Sequence, residues 1–231
     1  IINSIDSYSS FKKSVLKGKK IGLIPTMGAL HAGHASLIKR AQKECEHVIV
    51  SIFVNPIQFN HYKDFENYPS DNKGDISFLE SLNVSLLFNP SGKVVYPDGP
   101  KIKNYNLDNL DTKLEGLLRP GHFQGVATVI DRLFDILKPD RAYFGLKDYQ
   151  QVQVIKKLAS IRAECPEIIG CPIIREDTGL AMSSRNSRLN TKQKKAASSI
   201  FRALKFAEKE IRIFPVPPEA LKREMKAIIH S

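Results

Sequence analysis

The chain has 231 residues, 42% hydrophobic and 26% charged, with 35 Lys and Arg against 24 Asp and Glu for a formal net charge of +11. That composition is ordinary for a soluble globular protein, supports a sizeable buried core and argues against a disordered chain. No apolar stretch approaches the roughly 20 residues that cross a bilayer, and the opening IINSIDSYSSFKK has no signal-peptide h-region, so a cytoplasmic protein without membrane attachment is expected.

Short β-branched runs alternate with stretches of helical period along the first three quarters of the chain. The first run, 21–24, is followed by a helix with Leu37, Ile38, Ala41 and Cys45 on one face. HVIVSIFVN (47–55) is apolar on both faces, as a central parallel strand is. A helix carrying Ile76, Leu79 and Leu82 leads to VSLLF (84–88). Val126, Val129, Ile130, Leu133, Phe134 and Leu137 mark the strongest helix, stopped by Pro139. RAYFG (141–145), the helix QQVQVIKKLASI and EIIGCPII (167–174) complete the alternation. Repeated strand–helix–strand units predict an α/β fold, a Rossmann-like doubly wound parallel sheet, over residues 1–172.

After residue 172 a polar loop precedes a Lys-rich helix with Thr191 as its expected N-cap, and Pro217 and Pro218 open one more helix. Residues 173–231 are therefore read as a second, smaller C-terminal domain. Residues 191–231 hold ten Lys/Arg against four Glu, so +6 of the +11 lies there. Such a run reads as a solvated helical face, and no nucleic-acid partner is expected from it. Cys45, Cys165 and Cys171 lack metal-site spacing and sit in or beside apolar runs, which suggests buried thiols.

In an open α/β sheet ligands gather at the carboxyl ends of the strands. The stretch after the first strand, IPTMGALHAGHASLIKRA (24–41), places Gly28 and Gly33 before a helix start, where unpaired N–H groups and the dipole favour an anion. The spacing of Gly28 and Gly33 imitates a P-loop, but His34 and Ala35 stand where that loop needs Lys and Ser or Thr. Two imidazoles around a glycine can instead hydrogen-bond phosphate oxygens and move a proton near neutral pH.

His31-Ala32-Gly33-His34 resembles the HxGH signature of a nucleotidyltransferase superfamily that adenylates its substrates, and MSSRN (182–186) resembles that superfamily's second phosphate-binding motif. PTMGALHAGH, SIFVNPIQF, LEGLLRPGHFQGV, FGLKDYQQ and DTGLAMSSRN also occur in the order found in the pantothenate synthetase family. The resemblance implies a ligase joining pantoate to β-alanine through a pantoyl adenylate, with ATP and Mg2+, in a homodimer. It implies His34 as proton donor, with His31, Lys147 and Arg185 as further catalytic groups. ATP would meet Met27, Gly28, Ala29, Leu30, His31, Ala32, Gly33 and His34, then Gly145, Leu146, Lys147 and Asp148, the backbone of Ile174, and Met182, Ser183, Ser184 and Arg185. Pantoate would meet Gln58 and Gln151, with Asn55, Arg119 and His122 bordering the pocket, and Asp75 would associate with magnesium.

Ala32 and Leu146 stand where the family usually has polar residues, and YPSD (68–71) replaces its usual YPRT. Altered neighbouring contacts, with activity kept, are expected. The family usually runs several tens of residues further, which leads to an expectation that the second domain is incomplete. Two other functions fit the residues: a related nucleotidyltransferase that stops at the adenylate, and a basic nucleotide- or RNA-binding protein without ligase activity.

Overall fold

A computed structural model describes residues 1–213 and 215–230; Phe214 and Ser231, both within the expected second domain, lie outside the described residues. Five parallel strands, β1 (Ile21–Thr26), β2 (His47–Ile52), β3 (Leu86–Phe88), β4 (Arg141–Gly145) and β5 (Glu167–Cys171), lie in the order β3-β2-β1-β4-β5. The chain winds outward from β1 through β2 to β3, then returns to place β4 on the other side of β1. Strand order thus reverses between β1 and β4, and the ligand crevice of a doubly wound sheet opens beyond their carboxyl ends.

Alternating side chains of each strand feed two cores. Leu23 and Ile49 join Phe88, Phe123, Val126 and Ile130 on one face, where α7 (His122–Leu137) and α8 (Tyr149–Ser160) pack. Ile24, Val48 and Val50 join Leu37, Ile38 and Leu79 on the other, beneath α2 (Ala32–Glu44) and α4 (Asn72–Ser81). Burial on both faces explains the unbroken apolar run in β2.

An N-terminal helix, α1 (Ile5–Ser14), escapes the sequence reading because its polar, Ser-rich run has little helical periodicity; buried Tyr8 anchors it, donating to the Leu137 carbonyl at 2.6 Å. The short helices α3 (Tyr62–Glu66), α5 (Gly92–Val95) and α6 (Glu115–Leu118) fall between the elements read from the sequence. β5 stops at Cys171, before the expected Ile174, because Pro172 has no N–H to give the ladder. Cys45 and Cys171 are buried, whereas Cys165, in the loop before β5, is exposed.

The described chain divides into two compact units, one of Ile1–Leu30 with His34–Pro172 and the other of His31–Gly33 with Ile173–Ser231. In the second unit α9 (Thr191–Ile213) and α10 (Pro218–His230) pack on each other. The cap of α9 is Asn190 in place of the expected Thr191. Asn190 Oδ1 accepts the Gln193 N–H and Gln193 Oε1 accepts the Asn190 N–H, each at 2.9 Å, a reciprocal capping box. Among the described residues no helix is long and apolar enough to cross a membrane.

Candidate active site

Beyond β1 the backbone takes two consecutive left-handed residues, Gly28 (φ 85°) and Ala29 (φ 50°). Successive residues in such a turn aim their N–H groups inward and form a cradle for an anion. The chain supplies that anion itself. Asp75, 3% exposed in the first turn of α4, accepts the Ala29 N–H on Oδ2 at 2.9 Å and the Leu30 N–H on Oδ1 at 2.7 Å. Gly28 is needed on two counts, since a Cβ there would also lie 3.0 Å from Asp75 Oδ2. Ala29 and Leu30, expected at ATP, thus give their N–H groups to Asp75, and Asp75, expected at magnesium, holds backbone through both of its oxygens. Among the described residues no cluster of His, Cys, Asp and Glu is arranged to hold a metal ion. The unusual Asp71 of YPSD is used too, as the cap of α4 through the Gly74 N–H at 3.0 Å.

Helix α2 begins at Ala32, so His34 is its third residue. The Gly33 N–H donates to His31 Nδ1 at 3.1 Å, and a Cβ on residue 33 would lie 2.7 Å from His31 Cε1. A side chain at residue 33 would therefore have to displace the imidazole that folds over it. Since Nδ1 accepts, neutral His31 carries its proton on Nε2, the form that donates to an oxygen. Met182 belongs to the same cluster, its Cβ 3.7 Å from where that Cβ would stand.

At the end of β2 the turn Pro56–Gln58 holds Gln58, 7% exposed. Its Nε2 faces Met27 Sδ at 3.2 Å and its Oε1 accepts from Asn55 Nδ2 at 3.0 Å. Asn55, 1% exposed, lies behind Gln58, and its Oδ1 accepts from the Tyr96 hydroxyl at 2.8 Å. The first turn of α7 presses against this turn so closely that a Cβ on Gly125 would come within 2.5 Å of the Ile57 carbonyl oxygen. His122 Nδ1 pairs with the Gln58 carbonyl at 2.7 Å, and Arg119, ion-paired to Glu115 at 2.7 Å, reaches the same carbonyl at 3.4 Å. Burial lowers the His122 pKa, with the Arg119 cation adding to the effect and the hydrogen bond to the Gln58 carbonyl opposing it, so the ring favours its neutral form. Arg119 and His122 thus grip the backbone of Gln58.

Beyond β4, the turn Leu146–Asp148 pairs Lys147 with Asp148 at 3.3 Å. Leu146 lies over Gly170 of β5 and packs against the core, which accounts for an apolar residue there. Gln151, half-buried, is the third residue of α8. In the second unit the Ile174 carbonyl accepts the Met182 N–H at 2.9 Å, closing a turn in which Arg175 bridges to Ala181. Ser183 caps the turn Ser184–Arg188, accepting the Arg185 N–H at 3.3 Å. Asn186 fastens this loop, donating through Nδ2 to Glu176 Oε1 at 2.8 Å and to the Ala181 carbonyl at 3.1 Å.

Tyr96 went unread in the sequence, and Gly125 and Asn186, although inside the motifs LEGLLRPGHFQGV and MSSRN, were given no role of their own. Tyr96 falls in an irregular stretch without periodicity, and Gly125 looks like an ordinary glycine within a helix.

The family model for pantoate-beta-alanine ligase matches residues 1–231. A pantothenate synthetase of Thermodesulfovibrio yellowstonii is 51% identical over 199 residues, covering 86% of this chain and 70% of that protein. One from a Thermoanaerobacter species is 50% identical over 204 residues, covering 88% and 72%. Among solved structures, a pantoate-beta-alanine ligase of Francisella tularensis, complexed with beta-gamma ATP and beta-alanine, is 43% identical with a TM-score of 0.85, over 98% of this chain and 84% of that one. The enzyme of Thermus thermophilus is 38% identical with a TM-score of 0.90, over 99% and 81%. By these matches the chain belongs to the pantoate–β-alanine ligase family.

Proposed function

We propose that the chain joins pantoate to β-alanine through a pantoyl adenylate. A pantoate carboxylate oxygen attacks the α-phosphorus of ATP, the bond to the β-phosphate breaks and pyrophosphate leaves. The amine of β-alanine then attacks the acyl carbon, loses a proton and displaces AMP. The observation carrying this reading is the family match over the whole of residues 1–231.

Both steps gather negative charge on oxygen, so donors and cations set around those oxygens lower the barriers. His34 is assigned as the proton donor and His31 as a donor to ATP through Nε2. Lys147, Ser183, Ser184 and Arg185 are assigned to the phosphates, where hydroxyls, an ammonium and a guanidinium suit a leaving pyrophosphate. Asp148, Gly145, Leu146, Met182 and the backbone of Ile174 complete the ATP contacts. Gln58 and Gln151 are assigned to pantoate, because neutral amides read its hydroxyls and carboxylate without quenching the nucleophile. Magnesium is expected to arrive with the phosphates of ATP, since Asp75 is already engaged by backbone amides. A cytoplasmic homodimer is the assembly that the family resemblance implies, and sedimentation velocity tests it.

Measuring AMP release with ATP, pantoate and β-alanine tests the reaction. Release dependent on both substrates is expected; pyrophosphate formation with AMP held on the product and no use of β-alanine would favour an adenylating transferase. His34→Ala should lower kcat by a factor of about 100 to 1,000 while leaving the thermal melt unchanged. Retained turnover would remove His34 from the chemistry.

A further inference from the structure

We propose that Asn55 and Tyr96 are positioning residues that set the polarity of the Gln58 amide, so that Gln58 meets pantoate as a hydrogen-bond donor. The proposal rests on the assignment of Gln58 to pantoate made above. The nitrogen end of the amide faces the substrate, and Asn55, itself oriented by Tyr96, holds it that way.

One group in this cluster has no choice of role. A backbone carbonyl can only accept, and the Gly125 carbonyl lies 3.2 Å from Asn55 Nδ2. The amino end of the Asn55 amide is therefore fixed on that side, and Oδ1 must face the other way, where it accepts from the Tyr96 hydroxyl at 2.8 Å. The second hydrogen of the same Nδ2 then goes to Gln58 Oε1 at 3.0 Å. An oxygen receiving a hydrogen bond from Asn55 has its amide nitrogen on the far side, so Gln58 Nε2 points to Met27 Sδ at 3.2 Å.

A thioether is a weak acceptor, and the N–H facing it gains by exchanging sulfur for a substrate oxygen, above all a carboxylate oxygen. Turning the Gln58 amide over would set its NH2 against the Asn55 NH2 in a buried place, with neither group satisfied. Asn55 and Tyr96 are 1% and 8% exposed, so water does not compete for either bond. Tyr96 is held in turn by edge-on contact with Phe53, ring centroids 6.1 Å apart, and burial raises its pKa, which keeps the hydroxyl proton in place to donate. Its own backbone N–H bonds to the Gly92 carbonyl at 2.8 Å, closing α5.

The test is a comparison in which polarity and shape predict opposite orders. Asn55→Asp keeps the shape but presents only acceptors at about pH 8, which draws Gln58 Nε2 inward and turns Oε1 toward the substrate. Asn55→Ala leaves the Gln58 amide free to choose. Steady-state kinetics should show the pantoate KM raised about tenfold or more by Asn55→Asp and only about threefold by Asn55→Ala, with the ATP KM within about a factor of two of the parent enzyme. Asn55→Asp milder than Asn55→Ala, as for a residue that merely fills space, would overturn the proposal. If Asn55→Asp does not fold by its thermal melt, Tyr96→Phe decides. A pantoate KM raised about threefold at unchanged kcat supports the relay, and an unchanged KM overturns it. Gln58→Ala separates this from the reading beneath it: an unchanged pantoate KM there would remove Gln58 from the substrate and the relay with it, whereas a raised KM with silent Asn55 and Tyr96 variants would sink the relay alone.

Discussion

Asp75 shows how much one side chain can decide. Its two oxygens fill the cradle of Gly28, Ala29 and Leu30, so the loop after β1 keeps its strained left-handed turn before any ligand arrives. Asp75→Asn preserves the shape but sets an NH2 group against one of the two backbone N–H groups. A loss of about 2 kcal/mol is expected, read as a lower urea midpoint, together with a raised ATP KM because His31 and His34 follow directly from that loop. A midpoint equal to that of the parent would mean that the clasp holds nothing. The sequence shows a carboxylate in the first turn of a helix, where the dipole favours it, and nothing there marks its partners 45 and 46 residues upstream. Gly33 was legible only in part. Its place before a helix start pointed to close backbone approach, and the structure adds that the His31 ring lies where a Cβ would stand.

At the scale of elements, α7 and the Pro56–Gln58 turn are joined by a buried His122 whose lowered pKa couples the contact to pH. Below the ordinary value of 6.5 the unfolded chain binds a proton at His122 that the folded chain resists. The contribution is fully present above that value and is lost as pH falls through the lowered folded value. Urea midpoints at about pH 7.5 and about pH 5 should differ more in the parent than in His122→Gln, which cannot take up the proton. Equal differences would show that another group governs the change. In the second unit, Asn186 ties the MSSRN loop to Glu176 and Ala181. Asn186→Ala should therefore raise the ATP KM by about three- to tenfold, from the loss of one or two hydrogen bonds, and leave the pantoate KM unchanged. Elements with strong periodicity, such as α7 and β4, stand where the sequence puts them. Caps and short turns do not: Asn190 outcompetes Thr191 because it forms the reciprocal pair with Gln193.

Across the whole molecule, more than half of the net positive charge falls in the last 41 residues of the chain. The +6 of residues 191–231 lies in and beside α9 and α10, largely on exposed side chains, whereas the assigned pantoate residues follow β2 and β4. Any retention on RNA should thus fall steeply with salt and be unaffected by saturating ATP at constant ionic strength. Competition by ATP under those conditions would place RNA at the nucleotide site. The sequence by itself determined the α/β class and the parallel sheet, because those rest on periodicity, and it showed the His31-Ala32-Gly33-His34 motif after the first strand, because those residues are adjacent in the chain. Tertiary structure alone decided which donors of the site are already spent and which way its amides face. The partners concerned, Gln58 with Met27, Asn55 with Tyr96 and Asn55 with Gly125, lie 31, 41 and 70 residues apart. A hydrogen bond between such residues leaves no spacing to read, since it exists only once the sheet has brought its strand ends together.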